Sequence, residues 1–311
     1  MHNLSRVRII GAGGAGGNFI NGQGAAWWAA KQSGALRLTP GHLIETMWSS
    51  DVESAGLTLV DSPFWTVHLW SSARLHVHDV RVRAPTTSPN TDGFDPDSSR
   101  DVLIERVDVQ NGDDCIAIKS GWDGPGVAYT VPSVNITFRD AVCDSGERQQ
   151  GNCVAVGSEM SGGVADVLIS NITCVNSGSL IDVKSALGRG GYVRNVNLVG
   201  ATITGRLQIG LAMRDDYGDP NGPVNRSLVP RIDGVRVADV VAAPTASIAR
   251  AGVFIGLGGT PAAGQITGIL LDSVQLGSTA AGWSCVNVSG TSSGVQPAPC
   301  AQLGGGRGGA R

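Results

Sequence analysis

SSARLHVHDVRV (71–82), SSRDVLIERVDV (98–109) and PSVNITFRDAVC (132–143) are three versions of one pattern. Each opens on a turn of small polar residues, alternates apolar and polar, passes two polar positions and alternates again. ADVLISNITC (165–174), RNVNLVGATI (194–203), DGVRVADVV (233–241) and TGILLDSVQL (267–276) continue it. The leading apolar residues are Leu75, Val102, Ile136, Val167, Val196, Val235 and Ile269, spaced by 27, 34, 31, 29, 39 and 34 residues. Period-two alternation places one face of a strand in a core. Its return at this spacing, with no amphipathic helical stretch between, marks a solenoid of strands. Unequal spacing is tolerated where insertions fall in loops. Four-stranded blade motifs, which a propeller needs, are absent, as are the 10–15-residue helices of a doubly wound α/β fold. The chain therefore reads as all-β: a right-handed single-stranded parallel β-helix over 1–311, one domain. About eight or nine coils are visible, which at ~4.8 Å per coil make a rod on the order of 40 Å long.

Composition narrows the function. Glycine supplies 45 of 311 residues, about 14 per cent, twice the usual ~7 per cent. Charged residues are 16% and apolar ones 41%, which excludes intrinsic disorder. Glu, Lys and Leu are too sparse for a coiled coil, and the glycines lack collagen's period of three. No apolar run of ~18 residues is present to cross a membrane. With 23 basic and 26 acidic residues and no block of like charges, nucleic acid has no electrostatic footprint. Five Asn-x-Ser/Thr sequons, at Asn3, Asn135, Asn171, Asn225 and Asn287, are compatible with secretion. No signal peptide opens the sequence; it has been removed, or this start is not the natural one.

The six cysteines match no zinc ribbon or CxxC pair. Cys115, Cys143, Cys153 and Cys174 alternate with Ile, Val and Ala and read as small core hydrophobes. Cys285 and Cys300 bracket a loop in the 277–311 tail; a disulfide there closes ~15 residues and contributes roughly 3 kcal/mol. Gly11, Gly13 and Gly16 spell G-x-G-x-x-G, but Gly22 and Gly24 interrupt what should be a helix, and no acid appears before Glu45, so no dinucleotide site is expected. Gly290–Gly294 spells G-x-S-x-G without a following helix and reads as a loop. His76 and His78 share an exposed strand face without a third metal ligand, and His68, inside FWTVHLW, reads as a satisfied buried histidine. No metal or cofactor is expected.

Two segments break the repeat differently. SPNTDGFDPDSS (88–99) holds Asp92, Asp95 and Asp97, and NGDDCIAIKSG (111–121) sets Asp113 beside Asp114. Asp95 and Asp97 read as Asx-turn residues at coil corners. Asp92 precedes Asp113 by 21 residues, close to one short coil, so stacking places it about 5 Å from the Asp113–Asp114 pair. Crowding then raises the pKa of at least one carboxyl, leaving a proton donor beside an ionised base. Glycoside hydrolysis requires that division of labour.

SPNTDGFDPDSS, GDDCIAIKSG, GSEMSGGV (157–164) and KSALGRGGYVRNV (184–196) resemble the polygalacturonase-like glycoside hydrolases, pectin-cleaving parallel β-helices. INGQGAAWW (20–28), SPFWTVH (62–68) and CVNVSGTSSGVQPAPC (285–300) extend the likeness over nearly the whole chain, closest to the plant and algal branch. The family's first coil and N-terminal cap have no counterpart in this sequence. The resemblance implies an inverting, secreted, monomeric hydrolase acting on pectic polysaccharide or oligogalacturonide. It implies Asp113 as the proton donor, Asp92 and Asp114 as the activators of water, and Lys184 as the partner of a substrate carboxylate. Asn152, Glu159, Asp182 and Arg189 occupy motif positions expected to line the same cleft. Two departures stand out: the family's His-Gly reads Asn152-Cys153, and its Arg-Ile-Lys reads Asp182-Val183-Lys184. An acid beside an anionic sugar repels it, so a differently decorated sugar, or a binding protein with little turnover, is the alternative.

Overall fold

The computed structural model describes residues 1–12, 18–218, 225–257 and 266–304. Among these, ten strands stack in parallel: Ser5–Ile10, Ser50–Ala55, Ala73–Arg83, Arg100–Gln110, Ser133–Asp144, Val164–Lys184, Tyr192–Arg214, Arg231–Ala242, Ile266–Gln275 and Val288–Ser293. The register follows the repeat. Leu75, Val102, Ile136, Val167, Val196 and Val235 pair in succession, and all are essentially buried. The result is the expected parallel β-helix.

Each repeat bends twice, once in its opening turn and once at its polar pair. Asp101, Asn135, Asp166, Asn195 and Gly234 form one left-handed column; Asp79, Arg106, Asp140, Asn171, Gly200 and Asp239 form a second, with φ between 50° and 74° throughout. Asn and Asp tolerate this region better than other L-residues because a short side chain can bond locally. Here it bonds to the neighbouring coil: Asn135 Nδ2 donates to Asp101 Oδ1 at 2.7 Å, Asn171 to Asp140 at 2.7 Å and Asn195 to Asp166 at 2.6 Å. Each long strand is thereby folded around the core, and the coil closes.

Four sequence expectations are corrected. Cys115–Cys143 and Cys153–Cys174 are disulfides as well as core residues, alongside Cys285–Cys300; apolar alternation reports burial but not which sulfur faces another across the coil. Among the described residues two short α-helices interrupt the strands, α1 (Ala25–Gln32) and α2 (Asp123–Tyr129), each too short to show an amphipathic period. Gly290–Ser293 belongs to the last stacked strand instead of a loop, because its register partner Ile269 supplies a template. Asp95 and Asp97 lie on strand Phe94–Asp97 and are buried, not at a corner. The glycine run at 13–17 lies outside the described residues, and so does most of the G-x-G-x-x-G spelling.

A second parallel sheet forms the face that carries the candidate site. It runs through Ile44–Met47, Val67–Trp70, Phe94–Asp97, Ile116–Ile118 and Val154–Val156, then 181–184, 211–214, Ser247–Ile255 and Thr279–Val286. Its residues rank into columns. One carries Glu45, His68 and Asp95 in succession; another carries Met47, Trp70, Asp97 and Lys119. Farther along, Asp182 pairs with Ala212, and Lys184 with Arg214.

Candidate active site

Asp92, Asp113 and Asp114 come from the turns that enter two successive strands of this second sheet, so stacking, not sequence proximity, gathers them. One carboxylate oxygen of each lies within 4.8 Å of the others. Close approach is enforced by glycine: a Cβ on Gly112 would sit 2.0 Å from Ser88 O, and one on Gly151 would sit 1.9 Å from Asp113 O. The nearest oxygens are closer than the ~6.5–9.5 Å carboxyl separation usual for inverting glycosidases.

The three acids have different surroundings. Asp92 is buried with no hydrogen-bond partner on Oδ1; burial, reinforced by Asp113 and Asp95, holds its pKa well above the usual carboxylate range. Asp113 is the one partly open to solvent. Burial and the neighbouring Asp114 push its pKa to about 6, against the opposing pull of Lys184. Its Oδ2 accepts from Asn90 Nδ2 at 3.3 Å, and Asn90 is in turn bonded by Lys31 of α1. Asp114 is held at both oxygens: Lys184 Nζ donates to Oδ2 at 2.9 Å, and Asn152 donates to Oδ1 through its backbone N and Nδ2, each at 2.8 Å. Like charges crowded in a dry site cannot all ionise, so Asp92 and Asp113 retain a proton between them while Asp114 is ion-paired.

The remaining motif residues separate by role. Asn152 positions Asp114 and is itself fixed by Ser179 Oγ at 2.8 Å. Asn152 thus stands where the family resemblance places a histidine, and Cys153, at the family's glycine, is in a disulfide and fully buried. Glu159 meets Lys119 at 3.2 Å; burial pushes its carboxyl up, but Lys119, Lys184 and hydrogen bonding together hold its pKa lowered. Arg189 is 0% exposed and bonds Asp123 Oδ1 at 2.6 Å and Ser158 Oγ at 3.3 Å. It pins α2 to the 158 turn and does not line the cleft, contrary to expectation. Asp182 is buried against Arg214 Nη2 at 2.9 Å, so its charge is met by a cation from the next coil.

Several contributors were not legible in the sequence. Lys119 lies 3.6 Å from Asp95 and 4.3 Å above the Trp65 ring, and burial raises Asp95 to about 8. Arg214 is 29% exposed at its side chain. Its guanidinium shares the Tyr217 ring with Lys184, at 5.4 and 5.2 Å. Only register brings these residues together; Asp182 and Arg214 are 32 residues apart. His68 is buried as expected, with Nδ1 3.0 Å from Glu45 Oε1. His76 and His78 pair with Glu105 and Glu53 of neighbouring coils, a ladder on the outer face.

Residues 2–297 match the family described as Glycosyl hydrolases family 28. The chain is 38% identical over 306 residues to a probable polygalacturonase of Vitis vinifera, covering 97% of this chain and 59% of that protein. It is 30% identical to endopolygalacturonase 1 of Colletotrichum lindemuthianum, covering 67% and 55%. The chain thus spans little more than half the length of these relatives. Among solved structures, the polygalacturonase of Erwinia carotovora superposes with a TM-score of 0.71 at 22% identity, over 88% of this chain and 69% of that one. The exopolygalacturonase of Thermotoga maritima gives 0.62 at 23%, over 82% and 54%.

Proposed function

Because the chain belongs to glycosyl hydrolase family 28, we propose that it is a secreted hydrolase cleaving α-linked galacturonate bonds of pectin, with inversion, through Asp92, Asp113 and Asp114. The observation that supports this most is the contrast within the cluster: a solvent-reaching Asp113 with its pKa raised to about 6 beside an Asp114 held by Lys184 and Asn152. Asp113 gives its proton to the glycosidic oxygen as the bond from that oxygen to the anomeric carbon breaks. A water attacks the same carbon from the opposite face and passes a proton to Asp114, assisted by Asp92 once that residue is ionised. Asp114 engages both oxygens in fixed partners, which leaves lone pairs to orient a water but stiffens it against becoming a nucleophile itself. That favours inversion despite the short oxygen separation.

Arg214 answers the question raised by the missing family arginine. Asp182 does not confront the sugar with an unpaired charge, and Lys184 is engaged by Asp114. The partly exposed guanidinium of Arg214, on the next coil, is the cation available to take a uronate carboxylate. Three disulfides fit an oxidising, extracellular setting. Reducing-sugar release from polygalacturonate, with proton NMR of the first anomer formed, tests the reading. Release by wild type that is lost in Asp113→Asn supports it. Equal inactivity of both on every pectin, with binding retained, leaves a carbohydrate-binding β-helix, and a retained anomer overturns the assigned roles.

A further inference from the structure

We propose that His42, Glu45 and His68 form a binding site for a divalent transition-metal ion of the zinc type, at the N-terminal end of the second parallel sheet. Three donors converge there. Glu45 Oε1 lies 3.0 Å from His68 Nδ1 and 3.6 Å from His42 Nε2, and one ligand atom of each residue falls within 4.8 Å of the others. A tetrahedral ion with ligands at ~2.0–2.1 Å separates its donors by roughly 3.4 Å, between those two spacings. Two imidazoles and a carboxylate, with a fourth position left to water, are a zinc set.

The supports around the donors fit the same reading. Glu45 and His68 are register partners on adjacent coils, and His42 precedes Glu45 by three residues, so the sheet itself presets the spacing. His68 turns its other nitrogen, Nε2, toward Asp97 Oδ2 at 3.6 Å, the carboxylate–histidine arrangement that fixes a ligating tautomer. His42 makes no hydrogen bond through either nitrogen: Nδ1 is buried without a partner, and Nε2 stops short of Glu45. Its ring is held by stacking on Trp65, with centroids 5.2 Å apart and planes 20° apart, and by Phe64. A partly buried imidazole positioned by aromatic packing, with Nδ1 unpartnered and Nε2 3.6 Å from Glu45, has the bearing of a ligand. The Glu45 side chain, 32% exposed, opens the cluster to solvent.

The full chain, stripped with chelator and titrated with zinc, should retain one equivalent after desalting. Cobalt in its place should give the visible absorption of a tetrahedral nitrogen–oxygen site. His42→Phe keeps the stacking on Trp65 and removes a ligand; since His42 makes no hydrogen bond, the fold, read by circular dichroism, stays intact. Zinc affinity should fall by more than about 100-fold, and Asp97→Asn should lower it by ~10–100-fold, the usual cost of losing outer-shell support. Asp113→Asn serves as the control for the other carboxylate cluster and should leave affinity unchanged. No retained zinc, zinc binding indifferent to His42→Phe, or zinc binding lost in Asp113→Asn each overturns the site. None of these readouts depends on turnover, so the pectinase reading stands or falls separately.

Discussion

At Asp113 a single burial decision becomes chemistry. An exposed carboxyl would be ionised throughout the useful pH range; burial and Asp114 move this one to about 6. The sign follows: the proton donor is competent below that pKa and lost above it. With Asp92, Asp114, Lys184, Lys119 and Asn90 facing it, kcat/KM on polygalacturonate should fall as pH rises through about 6. Asp113→Asn should remove that limb and cut kcat by about 10²–10⁴-fold, the range expected for losing a general acid. A mutant with wild-type kcat would displace Asp113 from its role. Arg214 separates binding from folding. Arg214→Gln should raise KM about 10–150-fold with kcat nearly unchanged, through loss of one charge-assisted contact of ~1.5–3 kcal/mol. It also leaves Asp182 buried and unpaired, so Tm should drop; adding Asp182→Asn should restore Tm but not KM. Recovery of both would make Arg214 a merely structural partner.

At the scale of the element, the repeat's polar pair is what turns alternating sequence into a coil. Without the left-handed residues at Asp79, Arg106, Asp140 and Asn171, each strand would run straight and leave its second apolar half uncovered. The disulfides act on the same coils. Cys115–Cys143 and Cys153–Cys174 span 28 and 21 residues in the layers that carry Asp113, Asp114 and Asn152. Replacing Cys115 and Cys143 by Ala should lower stability by ~3–4 kcal/mol in urea denaturation, and alkylation of denatured, unreduced protein should find all six cysteines blocked. A loss under ~1 kcal/mol would mean the coil closes without the bond.

Across the whole molecule, stacking converts sequence distance into columns. Asp92, Asp95 and Asp97 sit together in one motif, yet the structure sends Asp92 to the Asp113 layer and sets Asp95 and Asp97 in the His68–Lys119 network. The repeat made the fold legible because alternation and the regular return of Leu75, Val102, Ile136 and Val167 are local properties of the chain. The aspartate cluster was legible too, since its spacing is close to one coil. What the sequence by itself determined, then, is the solenoid and the three acids on it: burial of an apolar face is written residue by residue. Only the tertiary structure decided the partners: Cys115 with Cys143, Arg214 with Asp182, Lys119 with Glu159, His42 with His68. Those pairings follow from register between coils, which depends on the length and path of every loop in between, and no local pattern encodes it.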